Sequence, residues 1–366
     1  MSLFSSQLSP IGIDIGTRSI KAAQLELGGE RSRVVALAQH ALPINLESAA
    51  DRAEAVRFGL SNLQRMSAFK GRNVVLSLNS QQLFVQNVRV PRLPDDELTK
   101  VVRWEAEERL PDGFGEAEVR HLVAGDIRAP SNSGEGSEIR REVIVLACRR
   151  KEIQDSIALL ESLRLRPMAI DVPALAMART CQTMLRRKAD EQSAFLYVDI
   201  GAGMSTAVVA RGQEILLIKQ LPTAGQSMDR AVARKLRLSI EDAAQARQQW
   251  ANKDDGAIDP DLGRVVVEAV RAEIETIAGE LLMCVRYHSV TFRGNRITKA
   301  LLVGGESNSQ IAEQLASRID IPCELSDPFV GFDVSPHVAD QLSSSRPGQW
   351  AVALGLCTKS NVAAAA

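Results

Sequence analysis

The sequence predicts a duplicated α/β protein, two related lobes with a small α+β subdomain inserted into the first. Three observations carry that expectation. A strand–turn–strand element with an aspartate near its turn occurs twice, as Ile11-Gly-Ile-Asp-Ile-Gly16 with Ser19–Glu26 and as Phe195-Leu-Tyr-Val-Asp-Ile-Gly-Ala-Gly203 with Ser205–Ala210. The aspartates, Asp14 and Asp199, stand 185 residues apart, about half of the 366-residue chain, and Lys21 and Thr206 each follow their aspartate by seven. Self-similarity at that distance points to two related halves, and the block between them has a different pattern.

Composition agrees. A chain of this length suggests two or three domains, and 45% hydrophobic with 24% charged residues is ordinary for a globular protein. With 44 Lys+Arg against 45 Asp+Glu there is no electrostatic footprint for a polyanion, so no nucleic-acid partner is expected. No apolar run approaches the roughly 20 residues of a spanning helix, and Met1-Ser-Leu-Phe-Ser-Ser6 resembles no signal peptide. A cytosolic protein is expected. The five cysteines and four histidines are scattered, which argues against a disulfide framework, a zinc site or a nucleophile–base pair.

In order along the chain, the first hairpin is followed by a strand-like run, Gln82–Val90, ended by Val90-Pro-Arg-Leu-Pro94. Asp95 or Asp96 then caps a helix to about Leu110, with Leu98, Val101, Val102 and Ala106 on one stripe. Val119–Ile127 and Glu142–Cys148 read as strands joined by a loop-like Arg128–Ser137, and Glu152–Leu163 as a helix. These elements make the insert, about 83–166. In the second half a helix follows Gly225, and Ser239-Ile-Glu-Asp242 has capping-box spacing. After a polar break at Asn252–Gly263 comes a long helix from Arg264 to about Val290, with Val267, Val270, Ile274, Ile277, Leu281 and Val285 alternating three and four apart. Strand Ala300–Val303 then meets Gly304-Gly305, a helix spans Ser309–Arg318, and Trp350–Leu356 is the last apolar element.

If both aspartate turns faced one cleft, the small residues Gly16, Thr17, Gly201, Ala202 and Gly203 would let backbone N–H groups approach an anion. Asp14 and Asp199 would hold Mg2+, chiefly through water, Lys21 would reach the terminal phosphates, and Gly304-Gly305 would admit a nucleoside.

The order of turn, insert, second turn, long helix and glycine pair resembles the actin-like ATPase superfamily over essentially the whole chain. Ile13-Asp-Ile-Gly-Thr-Arg-Ser-Ile-Lys21 is similar to its first phosphate motif, Val198-Asp-Ile-Gly-Ala-Gly-Met-Ser-Thr206 to its second, and Leu302-Val-Gly-Gly-Glu-Ser307 to its adenosine motif. Within it, Val90–Leu98 with Arg103-Trp-Glu-Ala-Glu107, Leu221-Pro-Thr-Ala-Gly225 and Trp350–Leu356 resemble the PilM family of type IV pilus assembly.

The resemblance implies an actin-like (ribonuclease H-like) two-lobe fold. Its first lobe takes 1–82, 167–190 and 341–366, its insert 83–166, its second-lobe core 191–225 and 298–340, and its helical subdomain 226–297. It implies ATP and Mg2+ as ligands, with Asp14 and Asp199 around the metal. Gly16, Thr17, Ser19, Lys21, Gly201, Gly203 and Thr206 fall around the phosphates, and Gly304, Gly305 and Ser307 beside the nucleoside. Glu280 stands where relatives present an acid to the ribose, Arg247 where a lysine is usual, and Asp171 where a residue can orient attacking water. Two residues depart from the pattern. Arg18 either grips phosphate or turns to solvent, and Glu306 repels the α-phosphate unless it points away. Binding is therefore better supported than turnover, at most a slow ATPase.

The implied partner is the cytoplasmic N-terminus of a PilN-like inner-membrane protein, bound by the insert. Trp104 lies off the apolar stripe and is a candidate contact. Contact with the membrane would be only through that partner, and homo-oligomers are possible. An FtsA-like filament, a type II secretion module and a small-molecule kinase are the alternatives. The tail Lys359–Ala366 is not an amphipathic anchor, and no sugar-site signature surrounds Asn79–Gln86.

Overall fold

In the computed structural model, residues 7–359 are described apart from 29–30, 47, 67, 112–113, 131–136, 186–189, 191, 252–258, 293–295 and 343–345. Most of the Arg128–Ser137 connector, the polar break before Gly263 and the tail after Lys359 lie outside the described residues.

The first lobe opens with β1 (Gln7–Leu8), β2 (Ile11–Ile15), β3 (Ser19–Leu27) and β4 (Arg33–Ala41), then α1 (Ala49–Met66) and β5 (Asn73–Ser77). The insert comprises β6 (Leu83–Pro91), α2 (Asp95–Glu107), β7 (Ala117–Pro130) and β8 (Ser137–Arg149). The chain returns through α3 (Arg150–Ser162), β9 (Arg166–Asp171) and α4 (Pro173–Gln182). The second lobe holds β10 (Ala194–Ile200), β11 (Ser205–Arg211), β12 (Glu214–Leu221), α5 (Gly225–Leu236), α6 (Ile240–Ala251), α7 (Pro260–Thr291), β13 (Ile297–Val303), α8 (Ser309–Ile319) and β14 (Cys323–Leu325). Last come β15 (Asp333–Val334), α9 (Pro336–Leu342) and α10 (Ala351–Cys357).

The duplication is visible in the sheets. One is ordered β4-β3-β2-β5-β9 with β15 outside β4, the other β12-β11-β10-β13-β14. In each, two antiparallel pairs are followed by two parallel strands. Asp14 pairs across its hairpin with Lys21, and Asp199 with Thr206. The seven-residue spacing is thus a shared register.

Helices α4 and α10 fill the space between the sheets. Ala176, Met177 and Cys181 of α4 and Val352 and Leu356 of α10 share one buried cluster with Val75 of the first sheet and Tyr197, Val208 and Val303 of the second. The two helices are tied by Thr180 Oγ1, which donates to Ala351 O at 2.7 Å. In α7, Val270, Ile274, Ile277 and Leu281 are fully buried against the second sheet, each contributing about 1.5–3 kcal/mol relative to exposure. Val267 and Val285 lie at the edge of that stripe.

The insert's sheet runs β6-β8-β7. Leu98, Val102 and Ala106 of α2 cover Val88, Val90, Val143 and Val145 on one face. The α2 N-cap is Pro94, not an aspartate, and Asp95, Asp96 and Glu97 occupy the first turn instead, where carboxylates favour the helix dipole. Two packing details differ from the expected boundaries. Leu160 of α3 joins Ile11, Leu60, Val74 and Leu76 in the first lobe's core, outside the insert. Phe329, Phe332 and Val338 pack with Ala23, Leu25 and Leu37, and β15 extends the first sheet, so the chain re-enters the first lobe before residue 341.

Candidate functional site

The two hairpin turns and the β13–α8 turn meet in one cleft of ≈ 350 Å³, between the lobes, within the range of small-molecule sites. The first turn supplies Asp14, Gly16, Thr17, Arg18, Ser19 and Lys21, the second Asp199, Gly201 and Gly203, the third Gly304, Gly305 and Glu306.

Each turn is shaped by its own backbone. Gly16 N donates to Ser19 O at 3.0 Å, closing the first. Gly225 and Gln226, at the start of α5, donate to Gly201 O and Ala202 O at 3.0 and 2.7 Å. Gly304 has φ +96°, and a Cβ there would lie 2.2 Å from Asp199 Oδ1. Only glycine satisfies both its backbone and that close approach.

Charge is concentrated on the two aspartates. Asp14 accepts a 2.9 Å hydrogen bond from Ser77 Oγ. Burial pushes its carboxyl above the ordinary range despite Lys21 and Ser77. Burial and the nearby Asp14 push Asp199 up to about 7, with Lys21 opposing. Lys21, 7% exposed, donates to Ser19 Oγ at 2.8 Å. Two desolvated carboxylates beside a single lysine favour an added cation. Among the described residues no three metal-ligating side chains cluster.

Other candidates lie elsewhere. Thr206 is buried opposite Asp199, and Ser307 donates to Val303 O; neither lines the cleft. Glu280 pairs with Lys219 of β12 at 3.6 Å, away from the cleft. Asp171 is 5% exposed, and its carboxylate is taken up by Val172 N, Arg179 and Lys359. Arg247 is completely buried, donating to Asp229 and Glu306. Its neighbour Gln248 lines the cleft instead, because adjacent helical residues point about 100° apart. Gln248, Gln349 and Asn79 were missed by sequence reasoning. The signal for Gln248 is its adjacency to Arg247 on one helix.

Arg18 does not turn to solvent, its side chain being 13% exposed. Its guanidinium donates to Asp229 and, at 3.2 Å, to Glu306. Glu306, at the edge of the cleft, is accordingly held between Arg18 and Arg247, which offset its charge. Trp104 is 57% exposed, on the face of α2 opposite its buried stripe.

The family model for type IV pilus assembly protein PilM matches residues 12–361. The chain belongs to the PilM family. This PilM-family chain is similar in structure to the solved PilM-PilN type IV pilus biogenesis complex, with a TM-score of 0.76 and 23% identity over 95% of this chain and 97% of that one. It also resembles ethanolamine utilization protein EutJ from Carboxydothermus hydrogenoformans, with a TM-score of 0.55 and 12% identity over 97% and 91% of the two chains. A diol dehydratase-reactivating factor in nucleotide-free form gives 0.52 and 10% over 96% and 99%. At these identities the likenesses establish the fold, a two-lobe actin-like architecture. Among the described residues of this PilM-family protein, no helix is long and apolar enough to cross a membrane.

Proposed function

We propose that this chain is a nucleotide-binding scaffold of type IV pilus assembly, with ATP and Mg2+ in the interlobe cleft and the N-terminal peptide of a PilN-like inner-membrane protein on the insert. The observation that carries the nucleotide reading is the convergence of Asp14, Asp199 and three glycine turns on one cleft. Asp14 and Asp199 would hold the metal through its waters, and Gly16, Thr17, Gly201 and Gly203 would offer backbone to the phosphates. Bound Mg2+ supplies neutralisation of phosphate charge. Lys21, kept in place by Ser19, adds a fixed cation beside the phosphates. Gly304 and Gly305 leave room for the nucleoside, and Gln248 and Gln349 flank it.

Hydrolysis would need a group that positions water in line. Asp171 is occupied by Arg179 and Lys359, so the reading is of binding with at most slow turnover. The partner reading is supported by family membership and by the PilN seen in the similar complex, and the exposed Trp104 is its candidate anchor. It places the chain in the cytoplasm, at the inner membrane through its partner.

Binding to the folded state raises the melting temperature. Mg-ATP is expected to do so for the wild type and not for Asp199→Ala, and absence of any shift in the wild type overturns nucleotide binding. Titration of a PilN-like peptide is expected to be weakened by Trp104→Ala. Unchanged affinity removes Trp104 from the interface.

A further inference from the structure

Four side chains form a closed ring of alternating charge beside the cleft. Arg247 Nε lies 2.8 Å from Asp229 Oδ1, and Arg247 Nη2 lies 2.6 Å from Glu306 Oε2. Arg18 Nη1 lies 3.2 Å from Glu306 Oε1, and Arg18 Nη2 pairs with Asp229 Oδ2, closing the circuit. Each carboxylate bridges both guanidiniums, and each guanidinium bridges both carboxylates.

The ring is divided unequally between the lobes. Asp229 on α5, Arg247 on α6 and Glu306 after β13 all belong to the second lobe, and their side chains are 0%, 0% and 7% exposed. Arg18 alone belongs to the first lobe, on the turn that carries Gly16 and Thr17, and its side chain is 13% exposed. The second lobe by itself therefore holds two buried carboxylates against one guanidinium. A buried uncompensated charge is far more costly than the pair it came from is stabilising. Gly225, at the start of α5, is part of this construction: a Cβ there would come within 2.7 Å of Glu306 Cδ, so glycine admits the carboxylate to the ring. Arg346 Nη1 donates to Gly305 O at 3.1 Å and adds positive charge near Glu306, while the ion pairs that close the ring are made by Arg18 and Arg247.

Two further cross-lobe contacts of the turns are made by neutral side chains. Gln81 Nε2 donates to Gly203 O at 3.1 Å, and Gln220 Nε2 to Ser80 O at 2.5 Å. We propose that Arg18 is an interlobe lock: it completes the charge balance of Asp229, Arg247 and Glu306 when the lobes are together, and ligand enters or leaves the cleft only when Arg18 withdraws. The gating half of this inference rests on the nucleotide reading above, whereas the lock itself does not.

The test uses the full chain with three sequences: wild type, Arg18→Met, and Arg18→Met/Asp229→Asn. The double variant removes the lock but leaves Arg247 and Glu306 as a neutral pair, so the second lobe is not left with a buried net charge. Hydrogen exchange is followed without nucleotide in the turn 16–19, the first turn of α5 and the centre of α7. Release of a fluorescent ATP analogue with Mg2+ is followed separately.

Both variants are expected to exchange faster in the turn and at α5 with α7 unchanged, and to release the analogue about tenfold faster or more, as loss of a buried charge partner acts on dissociation. Protection equal to wild type in both variants overturns the lock. Faster exchange in Arg18→Met but not in the double variant also overturns it, since the cause is then the unpaired carboxylate. Faster exchange in both with unchanged analogue release keeps the lock and overturns the gating. Failure of the wild type to bind the analogue overturns the nucleotide reading and the gating with it, while the exchange data still decide the lock.

Discussion

Asp171 Oδ2 lies 2.5 Å from Arg179 Nη2, while its Oδ1 accepts from Lys359 Nζ at 3.0 Å and from Val172 N at 2.8 Å. Arg179 in turn donates to Gly355 O of α10 at 3.0 Å. The carboxylate therefore joins the end of β9 to both helices between the lobes. Asp171→Ala is expected to lower stability by about 2 kcal/mol, reduced from fully buried pairs because Arg179 is partly exposed. The Mg-ATP shift in melting temperature is expected to survive. Thermal unfolding with and without nucleotide checks both halves, and loss of the shift would return Asp171 to the site.

Asp199 has the opposite character, a buried carboxylate without an ion pair among the described residues. Its folded value of about 7 lies above the ordinary 3.8, so the folded state takes up a proton more readily than the unfolded state. From this group, stability falls as pH rises from about 4 to about 7 and then levels off. Asp199→Asn is expected to stabilise the nucleotide-free protein by a few kcal/mol above pH 7, with the gain shrinking towards pH 4. Urea unfolding at pH 5 and pH 8 measures the difference, and a gain that grows with acidity contradicts the assignment.

The insert is attached to the second lobe as well as to the first. Glu142 of β8, with its side chain 1% exposed, accepts from Arg89 Nε at 3.0 Å, from Asn87 Nδ2 at 3.3 Å and from Tyr287 Oη of α7. Arg89 Nη2 also donates to Thr291 Oγ1 at 3.3 Å. Tyr287→Phe is expected to cost about 1–2 kcal/mol, the range for a hydrogen bond to a charged group. Faster hydrogen exchange should appear in β6 and β8, and exchange confined to α7 would mean that the contact does not fasten the insert.

The five thiols make a simpler case. Burial pushes Cys181 and Cys357 up to about 12 and Cys148, Cys284 and Cys323 to about 11. Thiolate is the reactive form, so alkylation of the native protein at pH 8 is expected to be slower by about two orders of magnitude or more than in denaturant, where all five react. Rapid labelling of a buried cysteine in the native chain would indicate local opening around it.

Much of this arrangement is legible along the chain, and the reason is locality. The hairpin register Asp14–Lys21 and Asp199–Thr206 follows from strand alternation and turn length within a dozen residues. The α7 stripe follows from helical periodicity, and the glycine pair from the backbone freedom that Gly304 uses at φ +96°. The family resemblance gives Glu280 and Arg247 their places along helices, which does not say which way a helix is turned against its neighbours. Gln248 faces the cleft because Arg247 is drawn into the second lobe by Asp229 and Glu306.

By itself the sequence determined the duplication, the insert and the turns that make the cleft, since each rests on periodicity and turn chemistry read over short windows. Only the tertiary structure decided the partners of the buried charges. Arg18 meets Asp229 and Glu306 across separations of 211 and 288 residues, and Asp171 meets Lys359 at the far end of the chain. A charge leaving water must find a partner wherever packing brings one, and that choice is made by the assembled lobes, not by neighbours in sequence.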